Sequence, residues 1–286
     1  MHMYKASIVI PAHNEESVIS NCLNLLATRQ DYIQLQIIVV CNGCSDNTAN
    51  IVRSFSGVHC IETDVASKSN ALNLGDDCAL YFPRFYLDAD IRMSPKGILD
   101  IVKHMEVSSA LAASPEAQMD FSGCSWLVRS YYTIWCDLPY CRAGMIGAGS
   151  YVLSEKGRSI FARFPEIIAD DRFVRALFSD SQRVCVNKVK AIVSAPTGIW
   201  GLIKIKTRSR LGGYEFESKF PELMNNETKD YALAIRELIP KVRLWPKVLV
   251  YLAVNLISRI RARKQFNSSK ALAWERDDTS RIKIRQ

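Results

Sequence analysis

Tyr81-Phe82-Pro83-Arg84-Phe85-Tyr86-Leu87-Asp88-Ala89-Asp90 reads as a short buried strand, set off by a proline and followed by two carboxylates one residue apart. Carboxylates at i and i+2 past a strand end can share one hard cation. Magnesium and manganese prefer oxygen ligands and keep positions for substrate phosphates. The tripeptide alone is a weak signal, because acidic residues after a strand commonly just face water. Its meaning comes from the segments around it.

Upstream, Ala6-Ser7-Ile8-Val9-Ile10 is a strand that the pattern stops at Pro11, and Asn14-Glu15-Glu16-Ser17 opens a helical pattern with apolar Val18, Ile19, Cys22, Leu23, Leu25 and Leu26. Leu35-Gln36-Ile37-Ile38-Val39-Val40 is a second strand, nearly continuous in its apolar run, as expected where helices cover both faces of a parallel sheet. Ser45 or Asp46 can cap a helix through Ile51 and Val52, residues 58–61 form a third strand, and Ser67 can cap a helix over 68–80. The alternation predicts an α/β fold: a doubly wound, mostly parallel sheet with helices on both faces. Ligands in such sheets bind beyond the carboxyl ends of the strands. The loops at 11–15, 41–46 and 88–90 all sit at those ends, which is the argument for a nucleotide site.

Bulk composition sets the outer bounds. With 286 residues and 48% apolar content, the chain can bury a sizeable core. The formal charge is +8, and twelve of the 37 lysines and arginines fall in residues 241–286. Such a surplus suits a nucleic acid, an anionic membrane or a diphosphate. Nine scattered cysteines, with no secretory pattern ahead of the first strand, are read as reduced thiols in a cytoplasmic compartment. Cys41-Asn42-Gly43-Cys44 has CxxC spacing without a second such pair, so buried or loop thiols are favoured over zinc or redox chemistry.

The middle is less regular. Residues 111–119 read as a strand and 125–138 as a helix with four aromatics, more in keeping with core than with a cofactor box. The run Gly144-Met145-Ile146-Gly147-Ala148-Gly149-Ser150 lets backbone approach a ligand or serves as a connector. Asp170-Asp171 begin a helix, where carboxylates also favour the helix dipole.

Taken in order, residues 8–16, 38–48, 68–73, 88–90 and 170–171 resemble the family 2 glycosyltransferases, inverting enzymes of the GT-A fold. The ending Trp274-Glu275-Arg276-Asp277-Asp278-Thr279-Ser280-Arg281 is similar to the tail of bacterial polysaccharide-type members. The resemblance implies roles. Pro11, Ala12, Asn14 and Glu15 line the nucleotide, with Asn42 beside the base. Lys68 approaches ribose or diphosphate, Asp88 and Ala89 touch the nucleotide, and Gly147 and Gly149 shape the sugar pocket. Asp90, with Asp88, holds Mn2+ or Mg2+ on the diphosphate, and Asp171 is the base that deprotonates the acceptor hydroxyl. Helix capping is the competing role for the Asp170-Asp171 pair. The basic segment 204–213, with Arg210, either folds over the diphosphate or is a solvated strand or loop.

The implied donor is a UDP-sugar, with a GDP-sugar as the alternative, and the acceptor is a lipid-linked or free saccharide. Asn42 stands where many members carry an acid, and Asn can donate as well as accept, which loosens the base assignment. No Gln-x-x-Arg-Trp motif is present, which argues against a processive synthase. A sugar-1-phosphate nucleotidyltransferase or a dinucleotide enzyme would want glycines after the first strand, and Pro11-Ala12-His13-Asn14-Glu15 has none. Nucleic-acid binding is disfavoured because no aromatics interleave with the basic tail as a stacking platform. A catalytically inactive, membrane-recruited scaffold would not need Asp90 and Asp171.

The domain expectation is a glycosyltransferase domain over 1–240, with a nucleotide-binding half about 1–120 and an acceptor half about 121–240, and a basic extension over 241–286. In that extension residues 248–258 are uncharged, too short to span a bilayer unaided, and flanked by Trp245 and by Arg259, Arg261, Arg263 and Lys264. A helix lying on an anionic membrane surface, at the inner face of the cytoplasmic membrane, is favoured over a packing or dimer helix.

Overall fold

The computed structural model describes residues 3–28, 30–138, 141, 145, 147–226 and 242–268. Gly144, Ile146 and the ending 274–281 therefore lie outside the described residues. The chain divides into two compact units: residues 1–118, 144–166 and 177–193, and residues 119–143, 167–176 and 194–286.

The first unit is built on a seven-stranded sheet. Its strands are β1 (Tyr4–Ala12), β2 (Ile33–Asn42), β3 (Val58–Thr63), β4 (Arg84–Leu87), β5 (Ala112–Asp120), β6 (Ser150–Leu153) and β7 (Arg183–Ser194), in the spatial order β3-β2-β1-β4-β6-β5-β7. β1, β2, β3 and β4 run parallel, while β6 is antiparallel to both β4 and β5. Helices α1 (Ile19–Leu26), α2 (Thr48–Arg53), α3 (Lys68–Cys78), α4 (Pro95–Ser108) and the short α6 (Glu155–Arg158) belong to this unit. The core is the apolar run of β1 and β2 packed with Ile19, Leu23, Ile98, Ile101 and Val102 of α1 and α4. Strand order reverses at β1, whose neighbours are β2 and β4, so a crevice opens beyond the carboxyl ends there.

β1 does not stop before Pro11 as its pattern suggests. It pairs in register with β2 through Pro11↔Val40 and Ala12↔Cys41. On its other side β1 meets β4 only at Ser7, Ile8 and Val9. Proline is tolerated in a strand where one edge is open, because no ladder donor is missed there. Ser67 caps α3 as its position predicts, accepting from the Asn70 N–H at 3.1 Å. At α2 the capping residue is Asn47, and Asp46 acts one position earlier by accepting from the Thr48 N–H at 3.0 Å.

The second unit is helical: α5 (Trp126–Asp137), α7 (Asp170–Ala176), α8 (Ile199–Lys219) and α9 (Trp245–Asn267), with 3-10 turns at Pro221–Asn226 and Val242–Leu244. The basic segment 204–213 is neither strand nor loop; it is the interior of the 21-residue α8. Leu202, Ile203, Thr207, Leu211 and Phe216 give that segment a buried face which its charges obscure in sequence. α9 lies against α5 and α8 and buries Val254, Ser258 and Ala262, at four-residue spacing on one face. Trp245, Leu249, Leu252, Leu256 and Ile260 are exposed and share the opposite face. No helix among the described residues is long and apolar enough to cross a membrane.

One buried ionic knot ties α3, β4 and α6. Asp76 accepts from Arg84 at 2.7 Å, from Arg158 at 2.8 Å and from the Tyr86 hydroxyl at 2.5 Å. Burial and the Asp76 carboxylate push the Tyr86 phenol well above its ordinary range. Replacing Asp76 with Ala strands two guanidinium groups and a phenol in the interior. Breaking a buried pair typically costs about 3–5 kcal/mol, so D76A is expected to lower the urea midpoint markedly. A midpoint unchanged from wild type would mean that the knot contributes nothing to stability.

Candidate active site

The loop after β1 and the loop after β2 are laced together by side chains. The Glu15 N–H donates to Thr48 Oγ1 at 2.7 Å, and that hydroxyl donates to Asp46 Oδ1 at 2.5 Å. The Glu16 N–H donates to Asp46 Oδ2, and the Asn47 N–H returns a bond to Glu16 Oε2 at 2.9 Å. Burial alone would raise Asp46, but the Thr48 hydroxyl, the Thr48 N–H and the Glu16 N–H hold it below the usual carboxylate range. Asn14 occupies a left-handed backbone position at φ 52° and accepts from the Ser45 N–H at 2.8 Å. Asparagine tolerates that region better than most residues. Thr48 is thus a structural keystone that motif reading overlooked, and Asp46, read there as a helix cap, also holds the loop after β1.

Asn42 is 3% exposed and donates through Nδ2 to the carbonyl of Ala12 at 2.9 Å. His13 Nδ1 meets the carbonyl of Asn42 at 2.6 Å. The amide nitrogen therefore serves the fold, and the acceptor oxygen is the end of Asn42 left for a ligand. Pro11, Ala12 and Glu15 are buried, so their backbone and edges, rather than whole side chains, are what the crevice presents.

β4 delivers the carboxylates. Asp88 Oδ1 forms an ion pair with Lys68 Nζ at 2.8 Å, joining the first residue of α3 to the end of β4. The Asp88 N–H donates to the carbonyl of Gly149 at 2.8 Å, and the Ile91 N–H turns back to the Asp88 carbonyl at 3.1 Å. Gly149 sits at φ +57°, and a Cβ there would come within 2.6 Å of Ile91 Cγ1. Only glycine lets this strand entry press on the acidic turn. Gly147 is also left-handed, at φ 70°. Ala89 is buried, and Asp88 and Asp90 are half-buried. Burial, with the Asp90 carboxylate adding to it, pushes the Cys22 thiol of α1 up to about 12.

Two hard oxygen donors at i and i+2 fit a magnesium- or manganese-class cation that takes its other ligands from phosphate and water. Lys68 already engages one Asp88 oxygen, so that carboxylate is shared. Among the described residues no cluster of three or more His, Cys, Asp or Glu is placed to hold a metal by protein ligands alone.

In the second unit Asp170 is 3% exposed and Asp171 is exposed. Both lie in the first turn of α7, and Asp171 Oδ1 accepts from the Arg172 N–H at 2.8 Å. The helix start is pinned to α8. Glu215 accepts from the Ile168 N–H at 2.8 Å, and Arg172 Nη1 donates to the Gly213 carbonyl at 3.0 Å. Gly212 and Gly213 make room for this: a Cβ at Gly212 would meet Ala169 Cβ at 3.0 Å, and one at Gly213 would meet Arg172 Nη1 at 2.9 Å. Arg210 donates to Asn255 Oδ1 of α9 at 2.6 Å.

Residues 7–137 match the family model described as Glycosyl transferase family 2. Among solved structures the chain is similar to mannosyltransferase PcManGT from Pyrobaculum calidifontis in complex with GDP-Man and Mn2+, at 15% sequence identity and a TM-score of 0.60, covering 95% of this chain and 77% of that one. It is also similar to the 1–349 fragment of S. aureus TarS in complex with UDP-GlcNAc, at 15% identity and a TM-score of 0.51, covering 75% of this chain and 67% of that one. Against a longer form of S. aureus TarS, at 15% identity and a TM-score of 0.47, the chain spans 40% of that chain's length. No curated protein sequence matches the chain.

The loop after β2 carries a test of its own geometry. Cys44 Sγ faces the Ala12 carbonyl and accepts from the Asn14 N–H, both at 3.4 Å. A hydrogen bond from Cys41 and the Asn14 N–H pull the Cys44 thiol below its ordinary value, while the Cys41 thiol is driven up. The thiolate is the reactive form. Cys44 is therefore expected to be the first cysteine alkylated by iodoacetamide near pH 7, with C44S losing the fast phase. A fast phase that survives in C44S would contradict this loop geometry.

Proposed function

We propose an inverting transfer of one sugar from a nucleotide-sugar donor to the hydroxyl of a lipid-linked or free saccharide acceptor, in bacterial polysaccharide or glycolipid biosynthesis; the match of residues 7–137 to the model described as Glycosyl transferase family 2 supports this reading. The observation that carries this reading is the meeting of three polar segments where strand order reverses: the laced loops after β1 and β2, Lys68 at the start of α3, and Asp88-Ala89-Asp90 after β4.

In this reading Pro11, Ala12, Asn14 and Glu15 line the nucleotide, and Asn42 accepts a base N–H through its remaining oxygen. Uridine and guanine both offer a ring N–H to such an acceptor, so a UDP-sugar is the first donor to test and a GDP-sugar the alternative. Lys68 bridges Asp88 and the donor phosphates, and Gly147 and Gly149, both in the left-handed region, shape the sugar pocket through their backbone. A divalent cation, Mn2+ or Mg2+, held by Asp90 with Asp88 would neutralise the charge that grows on the departing diphosphate. Asp171 removes the proton from the acceptor hydroxyl. Its exposure, against the burial of Asp170, supports that choice: a base must reach the proton it takes. Arg172, Glu215 and the glycine pair hold the helix that carries it. In the domain reading the donor-binding half is about 1–120 and the acceptor half about 121–240, with 241–286 as a peripheral extension.

Membrane-surface attachment in the cytoplasm is the reading for α9. Its outward stripe of Trp245, Leu249, Leu252, Leu256 and Ile260 is followed by exposed Arg259, Arg263 and Lys264, and this combination suits an anionic leaflet.

Donor binding is tested by thermal shift with a panel of nucleotide sugars and Mn2+, because a ligand that binds only the folded state raises apparent stability. Asp90→Asn is expected to abolish metal-dependent transfer without unfolding the protein; full activity of D90N, or of wild type in chelator, removes the metal assignment. Asp171→Asn is expected to cut turnover by roughly two or more orders of magnitude, the usual contribution of a general base, and to leave donor affinity unchanged. An active D171N beside a dead D170N would transfer the role to Asp170.

Neutralising Arg259, Arg263 and Lys264 together is expected to weaken binding to anionic vesicles. Each basic residue near such a surface contributes about 1 kcal/mol before screening. The apolar stripe should leave a salt-resistant remainder that detergent releases. Equal vesicle binding by the neutralised and native proteins would withdraw the membrane reading.

A further inference from the structure

In the second unit a lysine sits inside an aromatic cluster. Lys206 Nζ on α8 lies 4.4 Å from the ring centre of Trp135 and 5.1 Å from those of Tyr131 and Tyr132, all on α5. Tyr131 stacks on Tyr251 of α9 at 5.1 Å, so three helices wall the ammonium. Arg210 follows one helical turn after Lys206, held by Asn255, which in turn donates to the Tyr251 carbonyl at 2.8 Å. The groups facing Lys206 electrostatically are Cys136, Cys141 and Arg210. Among the described residues neither Lys206 nor Arg210 has a carboxylate partner, although elsewhere in this unit Arg172 and Lys219 do.

Two like charges at i and i+4 repel, and burial adds to the cost. Burial, with Arg210 adding to it, brings the Lys206 ammonium down to about 8. Aromatic faces attract a cation but do not cancel its charge. An anion that reached both groups would relieve both penalties; the ammonium is enclosed by the rings, while part of the Lys206 side chain remains exposed. Lysine offers three rotating donors, and Arg210 keeps guanidinium donors beyond the one given to Asn255, which suits a phosphate. The tyrosine and tryptophan rings give the same place apolar walls.

We propose that Lys206 and Arg210 form a phosphate-binding subsite for an acceptor carried on an apolar phosphate ester. This rests on the acceptor reading above and specifies the chemical handle by which that acceptor is held. Arg210, for which the sequence offered the donor diphosphate as one of two readings, serves an acceptor phosphate in this proposal instead.

The test uses the full chain, with geranyl phosphate and inorganic phosphate as probes in titration calorimetry. Wild type is expected to bind geranyl phosphate, K206Q to lose about tenfold or more in affinity, and K206R to retain most of it. Between pH 7 and pH 9 the lysine loses its proton, so wild-type affinity should fall about tenfold while that of K206R holds. Tighter binding of geranyl phosphate than of inorganic phosphate assigns the site to a lipid-linked acceptor. Equal binding of the two keeps the anion site and assigns it to free phosphate. Unchanged geranyl phosphate binding by folded K206Q, or an equal pH dependence in K206R, overturns the subsite. Nucleotide-sugar binding by the same samples reports on the donor reading separately, since a failure at Lys206 leaves it untouched.

Discussion

β1 is hydrogen-bonded on both sides only at Ser7, Ile8 and Val9, and beyond Val9 it keeps β2 alone. That one-sided continuation carries Pro11 and Ala12 to the rim of the sheet in register with Val40 and Cys41. Because strand order reverses at β1, the loops after β1 and β2 diverge from the turn after β4 and leave a crevice among them. The remaining features of the first unit either brace this arrangement or use it. The knot of Asp76, Arg84, Arg158 and Tyr86 braces it from within. The acidic turn, locked by the Asp88–Gly149 backbone bond, uses it.

Polar residues in the crevice divide into those that hold the loops and those whose groups remain for a ligand. Thr48, Asp46, Ser45 and the side-chain oxygen of Asn14 join one loop to the next. Asn42 belongs to both groups, since its nitrogen binds the Ala12 carbonyl while its oxygen does not share that bond. An acid at this position could not donate to a carbonyl when ionised. The asparagine at this position therefore has a local structural reason.

The second unit solves a different problem, namely how to seat a short acidic helix on a long basic one. Gly212 and Gly213 admit residues 168–172, and Glu215 with Arg172 closes the contact through hydrogen bonds to backbone. The same long helix turns Lys206 into the aromatic residues of α5. α9 completes the packing with small residues inward and large apolar ones outward, an orientation that globular stability alone would not favour.

Alternation of apolar strands and helices in residues 6–87 was enough to determine the doubly wound sheet, because hydrophobic periodicity and capping are local properties of the chain. The same local pattern located the acidic turn after β4 and the Ser67 cap. The continuation of β1 through Pro11 depends on which edge of the strand is open, a property of its neighbours rather than of the proline. The helical state of residues 204–213 was hidden because charges on one face masked the buried positions of the other. Lys206 carried no sequence signal at all: Tyr131, Tyr132 and Trp135 lie some seventy residues away along the chain, and only the packing of α5 on α8 makes one aromatic surface of them around the ammonium. Likewise, Asp170 and Asp171 are equivalent as letters, and folding makes them different by burying one carboxylate in the interior and leaving its neighbour in water.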